Sequence, residues 1–148
     1  MGVAMADPDA STLTDTTGPP LRVLIVDDSA RLRQRVREVL EHAGMVVVGE
    51  AGDGTNALAQ AATQRPDVVL TDLRMPGMNG VEATQALRRR QPRTRVVLWT
   101  GDDDARLASA VRESGADAGV AKGIGTVELI ATLQAGTRAG PPPRPGST

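Results

Sequence analysis

Short apolar runs alternate along this chain with stretches in which apolar residues recur every three or four positions. Leu21 to Val26 is the first run, rich in β-branched residues and closed by Asp27 and Asp28. Ser29 follows as a helix N-cap, and Leu32, Val36, Val39, Leu40 and Ala43 recur at helical spacing until Gly44 stops the pattern. Met45 to Glu50 predicts a second strand, and Thr55 to Gln64 an alanine-rich helix with Leu58, Ala61 and Ala62 inward. Pro66 opens a third run, Asp67 to Thr71. Asn79 caps a helix to about Arg90 that packs Val81, Ala86 and Leu87. Arg95 to Thr100 predicts a fourth strand. Asp103 or Asp104 then caps a helix carrying Leu107, Ala110 and Val111, closed by Gly115. Ala116 to Ala121 is a weaker fifth strand, and Thr126 caps a last helix with Leu129, Ile130 and Leu133.

These are five strand–helix units with continuously apolar strands. Such strands are buried on both faces, which predicts an α/β fold with a doubly wound, five-stranded parallel sheet. Ligands of such sheets bind outside the carboxyl ends of the strands.

Of the ten prolines, seven lie near the ends of the chain, so the folded unit is expected over 21–138. Residues 1–20 read as a disordered tail, and 139–148 as a Pro/Gly-rich tail or truncated linker. With no cysteine, a disulfide scaffold, a thiolate metal site and a cysteine nucleophile are excluded, and one histidine cannot build a multi-histidine site. A net charge of −1 and a single aromatic residue, Trp99, argue against direct nucleic-acid binding. The apolar runs are too short for a membrane helix, and the N-terminus lacks the pattern of a secretory signal, so a cytoplasmic protein is expected.

Polar residues close the strands at the edge where a ligand is expected. Asp27 and Asp28 end the first, Asp72 the third, Thr100 the fourth and Lys122 the fifth. Any one aspartate there often does no more than cap a helix; together these residues are a constellation. Three converging carboxylates repel one another, and a hard cation with oxygen ligands, Mg²⁺, relieves this. Lys122 is a point charge suited to a phosphoryl oxygen, and the Thr100 hydroxyl can donate to another. Lys122 is also the only lysine among 17 basic residues, which suggests a chemical need for a compact ammonium. A carboxylate among such groups can form an aspartyl phosphate.

The motifs VLIVDDS (23–29), VVLTDLRMPGMNG (68–80), VVLWTG (96–101) and GADAGVAKG (115–123) resemble those of the receiver domain of a two-component response regulator. Their spacing agrees with it, with 44 residues from Asp28 to Asp72, 28 more to Thr100 and 22 more to Lys122. The resemblance implies a flavodoxin-like (βα)5 fold with strand order 2-1-3-4-5, acting as a phosphorylation-dependent switch in bacteria. It implies Asp72 as phosphoacceptor, and Asp28, Asp72 and the Arg74 carbonyl as direct Mg²⁺ ligands, with Asp27 acting largely through water. Thr100 and Lys122 would bind the phosphoryl group, with Leu73 and Gly101 as further cofactor-binding residues. The implied partners are a sensor histidine kinase or phosphotransfer protein, an unknown output partner, and a second copy as a homodimer on phosphorylation. Arg74 and Asp102 are expected to pair and slow dephosphorylation.

Two positions depart from the family. Receivers usually carry Tyr or Phe three residues before the lysine; here Gly119 stands there, expected to leave a small void or a flexible strand. Trp99 should point to the opposite side of its strand from Thr100. Gly123 replaces the usual proline, and a cis bond without proline costs about 3 kcal/mol, so a trans bond is expected. The pattern around Lys122 resembles receivers of the NarL/LuxR type, which normally continue into a helix-turn-helix domain. A stand-alone receiver and the receiver part of a truncated DNA-binding regulator are both open readings, as is a phosphorylation-independent binding module.

Overall fold

The computed structural model of the chain describes residues 19–101 and 104–135. The expected tails, and the Asp102 and Asp103 expectations, lie almost wholly outside these residues. Among the described residues, five strands alternate with five helices: β1 (Arg22–Val26), α1 (Ala30–His42), β2 (Val46–Ala51), α2 (Gly54–Gln64), β3 (Val68–Asp72), α3 (Gly80–Arg90), β4 (Arg95–Thr100), α4 (Asp104–Ser114), β5 (Ala118–Ala121) and α5 (Thr126–Gln134). All strand pairs are parallel, in the order β2-β1-β3-β4-β5. This is the flavodoxin-like arrangement with order 2-1-3-4-5.

Alternation along each strand divides the core in two. Val23 and Ile25 of β1, Val68 and Leu70 of β3, and Val97 and Trp99 of β4 pack with Val36 and Leu40 of α1 and Leu129 and Leu133 of α5. Leu24, Val26, Val69 and Val96 face Ala57, Leu58 and Ala61 of α2 and Ala86 and Leu87 of α3. Leu98 meets Leu107 and Ala110 of α4 on that same side. Both faces are thus covered, which is why the strands read as unbroken apolar runs.

The caps follow local chemistry. Ser29 accepts from the Leu32 amide, Asp53 from the Asn56 amide, and Asn79 with Glu82 forms a reciprocal capping box. Gly44 and Gly115 close α1 and α4 at φ of 90° and 83°, backbone that favours glycine. Three expectations are corrected. Thr126 is the first residue of α5 and Gly125 holds the cap position without a side-chain hydrogen bond. In α2 the buried alanines are Ala57 and Ala61, with Ala62 exposed. In an alanine-rich helix there is too little contrast between faces to set the phase. Gly119 leaves no void: a Cβ there would lie 2.8 Å from Leu107 Cδ1 and Val111 Cγ2, so α4 already fills the space. There is no cis peptide bond among the described residues, and Lys122–Gly123 is trans. No described helix is long and apolar enough to cross a membrane.

Candidate functional site

The parallel ladder does not stop at the last residue of each strand, and its continuation fixes the main chain of the site. The Asp27 amide donates to the Ala51 carbonyl at 3.0 Å, Leu73 to Trp99 at 3.1 Å and Lys122 to Thr100 at 2.8 Å. Asp72 is itself the last residue of β3, paired with Trp99 of β4, and Thr100 is paired with Ala121 of β5. These bonds join β1 to β2 and tie β3 and β5 to β4, and the β1–β3 ladder links the two groups, so the carboxyl edges of all five strands form one continuous rim. Gly80, at the start of α3, lies against the backbone of Asp72 and Leu73, so a side chain there would collide with main chain.

On that rim Lys122 sits between two carboxylates. Its Nζ donates to Asp27 Oδ2 at 2.8 Å and lies 3.3 Å from Asp72 Oδ1. Asp27 and Asp72 are almost wholly buried and Asp28 is exposed. The Ser29 amide donates to Asp27 Oδ1 at 2.9 Å, and the Arg74 amide to Asp72 Oδ1 at 3.4 Å. Burial and the neighbouring charge of Asp27 lift the Asp72 carboxyl above its usual value, against the pull of Lys122 and the Arg74 amide. Burial pulls Lys122 down, but its hydrogen bond to Asp27 and the charges of Asp72 and Asp27 outweigh this and raise it. An always-charged ammonium thus faces carboxylates that repel each other.

One oxygen from each of Asp27, Asp28 and Asp72 lies within 4.8 Å of the others. Three carboxylates against one ammonium leave excess negative charge, and the oxygen-only donor set with an exposed member suits a hard divalent cation that keeps waters. The residues therefore fit Mg²⁺. Of the other residues expected at the site, Leu73 is buried just beyond Asp72, Thr100 is buried at the end of β4, and Gly101 and Arg74 are exposed at the rim.

Two groups at this rim were not anticipated. Arg33 of α1 donates through Nη1 to the Asp27 carbonyl at 2.5 Å and through Nε to Glu50 at 3.0 Å. Glu50 also accepts from Arg37 Nη1 at 2.6 Å. The second is Trp99, whose ring centroid lies 5.1 Å from Lys122 Nζ. Arg33 stands in the first turn of α1, and its reach back to the Asp27 carbonyl depends on how the helix leaves the acidic turn, so helical spacing gave no signal for it. The Trp99 contact follows only from the register of β4 with β5. Away from the rim, Arg88 donates to the Asp117 carboxylate and the Thr94 carbonyl and ties α3 to the loops that precede β5 and β4.

The response regulator receiver domain matches residues 23–134. This chain belongs to that family. The receiver is 37% identical over 120 residues to the nitrate/nitrite response regulator protein NarP of Escherichia coli (strain K12), covering 80% of this chain and 56% of NarP. It resembles a LuxR-family two-component response regulator from Aurantimonas sp. SI85-9A1 with a TM-score of 0.74 at 32% identity, over 78% of this chain and 84% of that one. It also resembles the Vibrio cholerae chemotaxis protein CheY4 with a TM-score of 0.70 at 33% identity, over 78% of this chain and 97% of that one. The receiver spans about half the length of the response regulators it matches among curated proteins.

Proposed function

We propose that this receiver takes a phosphoryl group from the phosphohistidine of a sensor histidine kinase, or of a phosphotransfer protein, onto Asp72. The observation that carries the reading is Lys122 lodged between Asp27 and Asp72, with Asp28 completing an all-oxygen cluster. A carboxylate oxygen of Asp72 attacks phosphorus. A P–O bond forms, the P–N bond of the donor breaks, and the imidazole keeps the electron pair. Lys122 neutralises charge on the transferred group, and Thr100 offers a hydroxyl to a phosphoryl oxygen. Leu73 and Gly101 are the further residues we assign to the phosphoryl site; the Leu73 amide already donates to the Trp99 carbonyl, so Leu73 would serve through its place beside Asp72 and not through that amide. Asp27, Asp28, Asp72 and the Arg74 carbonyl would hold Mg²⁺, which when bound offsets the phosphoryl oxygens' charge.

The switch acts in the cytoplasm, where the kinase and output partner meet it, and phosphorylation promotes a homodimer. The test is fluorine NMR with beryllofluoride, a phosphoryl mimic. A bound, Mg²⁺-dependent fluoride signal is expected for the native protein and none for Asp72→Asn; a signal of equal strength in the variant overturns the reading.

A second reading is favoured by one observation. Leu107 and Val111 occupy the space a side chain at residue 119 would take, so no aromatic can turn there to report on Thr100. In that reading the domain binds its output partner alike with and without the phosphoryl group.

A further inference from the structure

The chain contains one lysine and one aromatic residue, and the fold brings them together. In the β4–β5 ladder Trp99 pairs with Val120, and both pack in the core beside α1 and α5. Lys122 is two residues beyond Val120 and therefore leaves the strand end on the Trp99 side. Its ammonium lies 5.1 Å from the indole centroid, within the range of a cation–π interaction. Trp99 is buried and the Lys122 side chain is 25% exposed, so the ring side of the contact is shielded from water while the lysine is partly open to it. The indole Nε1 is buried without a hydrogen-bond partner, so no hydrogen bond from it sets the ring's position. The same residue orders the acceptor strand, because Trp99 pairs with Asp72 and its carbonyl accepts the Leu73 amide at 3.1 Å.

The geometry points to Trp99 as a positioning residue: its indole face holds the Lys122 ammonium in place between Asp27 and Asp72. Lysine carries four flexible side-chain torsions, and two carboxylates alone leave it free to follow either. A π-face behind the ammonium restricts it to the bridging position. This rests on the reading of Asp72 as phosphoacceptor only for its kinetic consequence; the placement of Lys122 stands by itself.

Both residues are unique, so global labelling is site-specific. Isotope-labelled lysine gives one set of side-chain NMR signals, and fluorinated tryptophans replace Trp99 without changing its shape while draining the ring face of negative charge. The ε-methylene of Lys122 should show an upfield ring-current shift in the native protein. Its ammonium should become more mobile in step with fluorination and in Trp99→Leu, with partial rescue in Trp99→Phe. The rate of phosphorylation by a small phosphodonor should fall in the same order, by roughly three- to tenfold at the end of the series. An unshifted methylene, or ammonium mobility indifferent to fluorination, overturns the proposal even if Trp99→Leu is unstable. If the native protein accepts no phosphoryl group, the reading of Asp72 fails, and the lysine signals still decide the placement.

Discussion

Arg33 reaches from α1 to the main chain of Asp27, donating to its carbonyl oxygen at 2.5 Å. Glu50 at the end of β2 fixes that guanidinium through Nε at 3.0 Å, and is itself held by Arg37. The acidic turn after β1 is thus clamped from behind by groups that do not join the carboxylate cluster. Groups that orient metal ligands commonly carry 10–100-fold in affinity. Arg33→Ala should weaken Mg²⁺ binding by about tenfold, and Glu50→Gln less, in the same direction. Magnesium titration by calorimetry checks this; unchanged affinity in Arg33→Ala would remove the clamp from the account.

The same cluster sets a pH dependence. Burial pushes the Glu50 carboxyl up, but its hydrogen bonds and charge contacts with Arg37 and Arg33 outweigh this and hold it below the usual value. A depressed carboxyl contributes stability that is present above its unfolded-state value and is lost as pH falls through the folded-state value. In urea unfolding, the stability gap between the native protein and Glu50→Gln should be about 1 kcal/mol near neutral pH, as for other partly exposed ion pairs. It should shrink on acidification. A gap that widens in acid would reverse the sign.

Asp72 behaves oppositely. Its carboxyl is raised, so the folded protein binds that proton more tightly than the unfolded chain does. Metal-free stability should therefore drop as pH rises from the usual aspartate range through the raised value. Asp72→Asn removes the repulsion with Asp27 while leaving Lys122 its 2.8 Å bond to Asp27. The variant should melt higher than the native protein at neutral pH in the presence of a chelator. A lower melting temperature would show that the carboxylates do not strain the metal-free fold.

Gly119 sits under α4, where an added Cβ would press on Leu107 and Val111 at 2.8 Å. Gly119→Ala should cost about 1–3 kcal/mol by overpacking. Leu107→Ala, itself destabilising, should recover much of that cost when combined with Gly119→Ala, a coupling that a double-mutant cycle on urea unfolding reads directly. Additive effects would mean that the two positions do not share one space.

These cases also show what was legible before the fold was known. Arg95–Thr100 and the Asn79 cap were readable because a buried strand is an unbroken apolar run and a cap is local chemistry. The convergence of Asp27, Asp28, Asp72 and Lys122 was readable because strands of a parallel sheet deliver their last residues to one edge. What was hidden depends on contacts between elements. Ala57 and Ala62 are the same residue type on different faces of α2. The space at Gly119 is closed by α4, and the Trp99–Lys122 contact needs the register of two strands. Trp99 was rightly expected on the face away from Thr100, but that Lys122 shares that face is a property of the pairing, not of either residue.

The central claim is that Asp72 accepts a phosphoryl group. The most direct measurement is intact mass after incubation with Mg²⁺ and a small phosphodonor, with Asp72→Asn beside the native protein. A mass gain of one phosphoryl group is predicted for the native protein, lost on chelation and absent from Asp72→Asn. No gain in the native protein, or an equal gain in the variant, would contradict the account.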